Sequence, residues 1–143
     1  MAETYRYICK HFKIYELVDP ATYRRFGEQA WMFFDNDTLR MIDRLREYFN
    51  VPMVINDWHW GGKFQWSGLR TVDCTEGSTW SIHRLAKAFD IKAKDISADA
   101  MRDEIMAHQD HPFLKYINRM EDDVSWLHVD RANVENRIVL FNP

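Results

Sequence analysis

Two short segments carry side chains that can hold a metal ion. In Ser81-Ile82-His83-Arg84-Leu85-Ala86-Lys87-Ala88-Phe89-Asp90 a carboxylate follows a histidine at a distance of seven residues. In Trp126-Leu127-His128-Val129-Asp130 a second histidine sits in the middle of an alternating, strand-like run. Zinc accepts imidazole nitrogen and carboxylate oxygen, and catalytic zinc sites use three protein ligands with one position left for water. His83, Asp90 and His128 fit that count. Spacing alone is weak support, since histidines also serve in cores and on surfaces. Asp130 points the same way as His128 along a strand, where it can orient that ligand or cap the strand. The other histidines read more plainly. His59 lies between Trp58 and Trp60, where lining the cleft is one role open to it and a packed or solvent-facing loop residue is the preferred reading. His108 and His111 flank Asp110 at a helix end, where a cation suits the helix dipole.

The paired segments bear a family resemblance. The first resembles the Ser-x-His-x-x-Gly-x-Ala-x-Asp motif of the zinc D-alanyl-D-alanine carboxypeptidase family. That family includes phage L-alanyl-D-glutamate endopeptidases and shares its fold with the hedgehog signalling domain. Ser81, His83, Ala88 and Asp90 match, and Ala86 stands where the motif has glycine. Trp126 and His128 match the closing Trp-x-His element. Ser67-Gly68-Leu69-Arg70 is similar to the family's Ser-Gly-Tyr-Arg segment, with Leu69 in place of the aromatic. The resemblance covers roughly Val51 to Asn133 and is greatest to phage and prophage members.

The resemblance implies that His83, Asp90 and His128 ligate Zn2+, and that Ser81 helps to orient the first ligand, where the plainer alternative is a turn serine. Arg70 would hold a substrate carboxylate or a developing oxyanion, lining the cleft with its guanidinium toward open space; a surface salt bridge is the alternative. A general base is also needed. Many members carry an acid three residues before the last histidine, but that position is Ser125, which cannot serve. The hedgehog-like position, six residues before, is Asp122. Counting back along one extended strand, Asp122 shares a face with His128, whereas Glu121 needs a bulge but has the longer reach. Asp122 and Glu121 stand level, with Asp123 behind. The implied activity is that of a zinc metallopeptidase hydrolysing peptidoglycan stem peptides at a bond involving a D-amino acid. Ser125 and Ala86 favour a second reading, a catalytically inactive zinc-stabilised peptide-binding or phage structural module. A third is an α+β domain without metal.

The elements that must position these groups follow from pattern. Phe12 to Leu17 reads as a short strand. Asp19-Pro20 is an N-cap followed by proline at the first helical position, and Tyr23, Phe26, Ala30 and Phe33 continue a helix to about Phe34. Asp35 or Asn36 starts a second helix, with Leu39, Ile42, Leu45 and Phe49 on one face, ended by Asn50 and Pro52. Met53 to Ile55, Ala88 to Ile91, Trp126 to Asp130 and Ile138 to Phe141 are strand candidates, and Ser97 caps a helix through about His108. Asn56 to Ser81 carries Gly61, Gly62, Gly68 and Gly77 among Trp58, Trp60, Trp66 and Trp80, the character of a functional loop. The tryptophans suit core and groove walls, with sugar stacking a role open to Trp60 or Trp66. The pattern predicts an α+β domain: a small antiparallel sheet carrying the zinc site, with N-terminal helices packed against it.

Bulk properties bound the rest. With 143 residues, 46% of them hydrophobic and 15% aromatic, the chain can build one core as a single domain spanning 1–143. A formal charge of -3 without a basic block argues against nucleic-acid binding. Cys9 and Cys74 are too few for a disulfide framework and read as reduced thiols. Met1 to Lys10 is polar and mixed, without the apolar stretch of a signal peptide, and no membrane-spanning run exists. The expectation is synthesis in the cytoplasm, with action at the cell wall or as part of a virion. The expected partner is a peptidoglycan peptide; pattern alone does not set the oligomeric state.

Overall fold

The computed structural model describes residues 5–143, so part of the polar stretch from Met1 to Lys10 lies outside the described residues. Helix α1 spans Pro20–Phe26, where Asp19 accepts from the Thr22 N–H at 3.2 Å and Pro20 takes the first turn. The predicted run to Phe34 is not one helix. Gly27, at φ 54, breaks the α-geometry and a 3-10 helix continues over Gly27–Phe33. Helix α2, Asn36–Phe49, is capped by Asp35, which accepts from the Thr38 N–H at 2.7 Å, and closes at a left-handed Asn50. Helix α3, Ala98–Ala107, is capped by Ser97.

Five short strands form one sheet: β1 Met53–Val54, β2 Ala88–Ala93, β3 Arg119–Glu121, β4 Leu127–Asp130 and β5 Val139–Phe141. Their order is β1-β2-β4-β3-β5. The chain is thus α+β as expected, but the sheet is mixed, because β5 runs parallel to β3. The predicted strand at Phe12 to Leu17 is instead a 3-10 turn at Ile14–Glu16, closed by the Glu16 carboxylate accepting from the Lys13 N–H at 2.8 Å. Phe12, Ile14 and Leu17 are still buried, so the apolar pattern was satisfied by a turn rather than by a ladder.

One face of the sheet makes the core. Phe89 and Ile91 of β2 and Leu127 and Val129 of β4 join Leu39, Ile42 and Leu45 of α2 and Met101 and Ile105 of α3, and Phe34 stacks on Phe89 at 5.6 Å. Side chains alternate along a strand, so Asp90 and His128 emerge on the other face. No helix among the described residues is long and apolar enough to cross a membrane.

Candidate metal centre

The polar face of the sheet is organised in rows. Asp90 on β2 lies directly opposite His128 on β4. The Asp90 N–H is committed to the Ser67 carbonyl at 2.8 Å on the other side, so Asp90 and His128 form a non-hydrogen-bonded pair, the kind with the closer side chains. Arg119 on β3 opposes Asp130, and one step further along that register puts Glu121 beside His128. Glu121 in turn opposes Phe141 on β5. Asp90, His128, Glu121 and Phe141 therefore make one row across four strands, with Arg119 and Asp130 in the next.

His83 reaches this row from a 3-10 helix at Ile82–Leu85. The Ser81 hydroxyl accepts from the His83 N–H at 3.2 Å and caps that turn, so it orients His83 through the backbone. The chain leaves the turn through Ala86 at φ 58, a left-handed conformation natural to glycine and costing an alanine roughly 1–2 kcal/mol. This is the position at which the resembled motif carries glycine.

Three donor atoms converge. His83 Nε2 lies 3.2 Å and His128 Nδ1 3.0 Å from the same oxygen, Asp90 Oδ1. Potential ligand atoms of these three residues lie within 4.8 Å of one another, and all three residues are buried. The opposite edge of each imidazole is tied down. His83 Nδ1 donates to the Gly68 carbonyl at 2.9 Å, and His128 Nε2 donates to Asp130 at 2.8 Å. Both bonds leave His83 Nε2 and His128 Nδ1 facing Asp90, the nitrogens that would bind a metal on giving up their protons. Asp130 is completely buried and is gripped by Arg119, whose Nη2 donates to it at 2.8 Å. Gly68 can hold its carbonyl there because it has no side chain: a Cβ would stand 2.2 Å from the Leu17 carbonyl oxygen.

Charge follows this geometry. Burial works against an ionised Asp90, but hydrogen bonds with His128 and His83 outweigh it and hold the carboxyl well below its ordinary range. Burial also works against a charged His128, yet hydrogen bonds to Asp130 and Asp90 prevail and raise it to about 9. Asp130 is lowered despite burial, through His128 and Arg119. Asp90 and Asp130 are thus both anionic, the first facing the two imidazoles and the second behind His128.

Other residues singled out from sequence are divided by the fold. Arg70 reaches the centre, donating to Asp90 Oδ2 at 3.2 Å and to the Trp66 carbonyl at 2.8 Å. Its side chain is only 12% exposed, so the guanidinium is not turned to open space as expected. Glu121 places Oε2 3.8 Å from His128 Nδ1 and lines the cleft. Asp122 sits instead 3.6 Å from Arg102, and Asp123 is exposed at φ 61. The count from His128 assumed one continuous strand; the chain turns between β3 and β4, which carries Glu121 toward the centre. His59 stacks on Tyr15 at 3.8 Å, beside an exposed Trp60, and lies outside this cleft. His108 pairs with Glu104 at the end of α3, and His111 edges against Tyr48.

A cleft of about 600 Å³ opens over the centre, walled by Trp80, Trp126, Glu76, Arg119 and Phe141 besides the residues above. Trp66 lines a second pocket adjoining it. Sequence reasoning missed Arg119, Glu76 and Phe141. Only knowledge of β3 and β5 reveals Arg119 and Phe141, and nothing local marks Glu76. Comparison with protein-family models, with curated proteins and with solved structures finds no match to the chain.

Proposed function

We propose that the chain is a zinc-dependent peptidase acting on peptidoglycan stem peptides, of the hedgehog/D-alanyl-D-alanine peptidase kind its sequence motifs resemble. The observation that carries this reading is the convergence of His83 Nε2, Asp90 Oδ1 and His128 Nδ1 beside the carboxylate of Glu121. Two imidazoles and one carboxylate, each oriented by a further hydrogen bond, are a donor set suited to zinc with an open position. Zinc held there supplies a Lewis acid for a scissile carbonyl and makes water acidic enough to attack near neutral pH.

The chain's own groups do the rest. Glu121 takes a proton from the attacking water and returns it to the leaving nitrogen, the role Ser125 cannot fill. Arg70, fixed by Asp90 and the Trp66 carbonyl, adds a permanent positive charge at the cleft where an oxyanion develops. Trp80 and Trp126 wall the groove along which a peptide lies.

The test is metal analysis joined to release of peptides and amino acids from purified peptidoglycan. Wild-type protein should carry about one zinc and lose it on replacing both His83 and His128 with Ala. Glu121→Gln should keep zinc and lose turnover by on the order of a hundred- to ten-thousand-fold. Asp122→Asn should change the rate only modestly. Zinc-loaded wild type that releases nothing would leave the zinc-stabilised binding module instead.

A further inference from the structure

The metal centre has two openings, and the second is cationic. Arg70, Glu76, Asp90 and Trp126 line both the main cleft and an adjoining pocket of about 310 Å³. That pocket contains Lys92 and Lys63, together with Phe64, Gln65 and Ser67. Lys92 follows Asp90 by two residues on β2, so both side chains leave the same face about 7 Å apart along the strand.

Lys92 is half-buried, and its Nζ rests 3.8 Å from the centre of the Phe64 ring, with Lys63 Nζ at 5.6 Å from that ring. Neither ammonium has an ion-pair or hydrogen-bond partner among the described residues. The two carboxylates whose fields reach Lys92 are otherwise engaged. Asp90 serves His83, His128 and Arg70, and Asp57 accepts from the Phe64 N–H at 2.8 Å. Glu76, at the border of the two pockets, is exposed and joins neither lysine. A partly desolvated ammonium that rests on an aromatic ring without an anionic partner, at the wall of a pocket beside the candidate metal centre, is poised for an anion from outside.

We propose that this pocket receives a free carboxylate on the peptide residue flanking the bond that is cut. Lys92 is the specificity-determining residue, assisted by Lys63, and the preferred substrates are acidic rather than amidated stem peptides. The inference rests on the peptidase reading above. A carboxamide in the same place keeps the shape but offers no charge, and leaves the ammonium unpaired.

Two synthetic peptides test this: L-alanyl-D-isoglutamyl-L-lysyl-D-alanine with the isoglutamyl α-carboxylate free, and the same peptide with that group as carboxamide. Their affinities are measured calorimetrically on zinc-loaded Glu121→Gln protein, and their kcat/KM values on wild type. The free acid should bind more tightly by on the order of tenfold. Lys92→Met, which keeps the aliphatic stem over Phe64, should bring the two affinities together with zinc content unchanged. Equal binding of both peptides, or a preference that survives Lys92→Met combined with Lys63→Gln, would overturn the subsite while leaving the peptidase reading intact. Preferential binding without any cleavage by wild type would support the subsite and sink the peptidase. Binding of neither peptide to zinc-loaded protein would overturn both.

Discussion

Asp130 is the residue on which the quality of the centre turns, although it offers the metal nothing directly. Its carboxylate receives His128 Nε2 at 2.8 Å and is itself held by Arg119 and by the Ala132 N–H at 3.0 Å. A carboxylate in that place fixes the ring's orientation and makes the other nitrogen a better donor. Replacing Asp130 with Asn keeps the size and one acceptor but removes the charge, and leaves Arg119 without its anion. Zinc affinity should fall about 10- to 100-fold, measured by competition with a chromophoric chelator. Unchanged affinity would mean that His128 is positioned by the sheet alone. Glu121 shows the limit of reading residues singly. Glutamate and two aspartates in a row offer three acids of similar chemistry, and only the register of β3 against β4 selects among them. That register depends on a turn at 122–126, which neither composition nor spacing encodes. The candidate ligands were legible because the row Asp90–His128 is made of two motifs, each local in sequence.

Among the elements, α3 governs that turn. Arg102 lies in the middle of the helix with its side chain 5% exposed, and donates to the carbonyls of Trp126 at 3.0 Å and Val124 at 2.9 Å. It also pairs with Asp99 and approaches Asp122. A single guanidinium thus ties the β3–β4 connection to a helix on the core side, and sets how Glu121 and His128 face each other. Arg102→Met should cost on the order of 3 kcal/mol, since it strands buried carbonyls, and lower the thermal midpoint by roughly 10 °C. On the peptidase reading the zinc-loaded variant should also lose turnover, because Glu121, the proposed base, and His128 flank this turn. A thermal midpoint within a degree or two of wild type would show that the turn holds itself. Helix caps at Asp19, Asp35 and Ser97 were readable because capping is settled within four residues. Strand β3 was not. Arg119-Met120-Glu121 has no alternating run to mark it, and it becomes a strand only by pairing with β4 and β5. The mixed sheet has the same origin: the direction of β5 is fixed by a long-range partner, not by its own three residues.

At the scale of the whole molecule, the core and the metal centre occupy opposite faces of one sheet, and this decides how metal and folding are coupled. The core face is closed by α2, α3 and the Phe34–Phe89 stack without any contribution from the ligands. The other face is completed by the long loop, which hydrogen bonds tie to the N-terminal segment and to the sheet. Asn56 is buried and bridges the Val18 carbonyl at 3.1 Å and the Ser67 N–H at 2.9 Å; Leu69 donates to Leu17, and Arg70 donates through its backbone to His83 at 3.2 Å. His83 sits on the short 3-10 turn that leads from this loop into β2, whereas Asp90 and His128 lie on strands already paired with each other. A metal ion would therefore fasten the loop to the sheet rather than create the core. Stabilisation by a bound ion follows its free concentration relative to Kd, about 4 kcal/mol at a thousandfold excess. Stripping zinc with a chelator should lower the thermal midpoint by roughly 10 °C or more while leaving the far-ultraviolet helical signal intact. Hydrogen exchange should rise at the amides of Leu69, Arg70 and Ala86, and remain slow in α2 and at Phe89 and Val129. Loss of the entire helical signal on chelation would show that the core face cannot stand alone. No change in either the midpoint or the loop amides would mean that His83, Asp90 and His128 hold no structurally coupled ion.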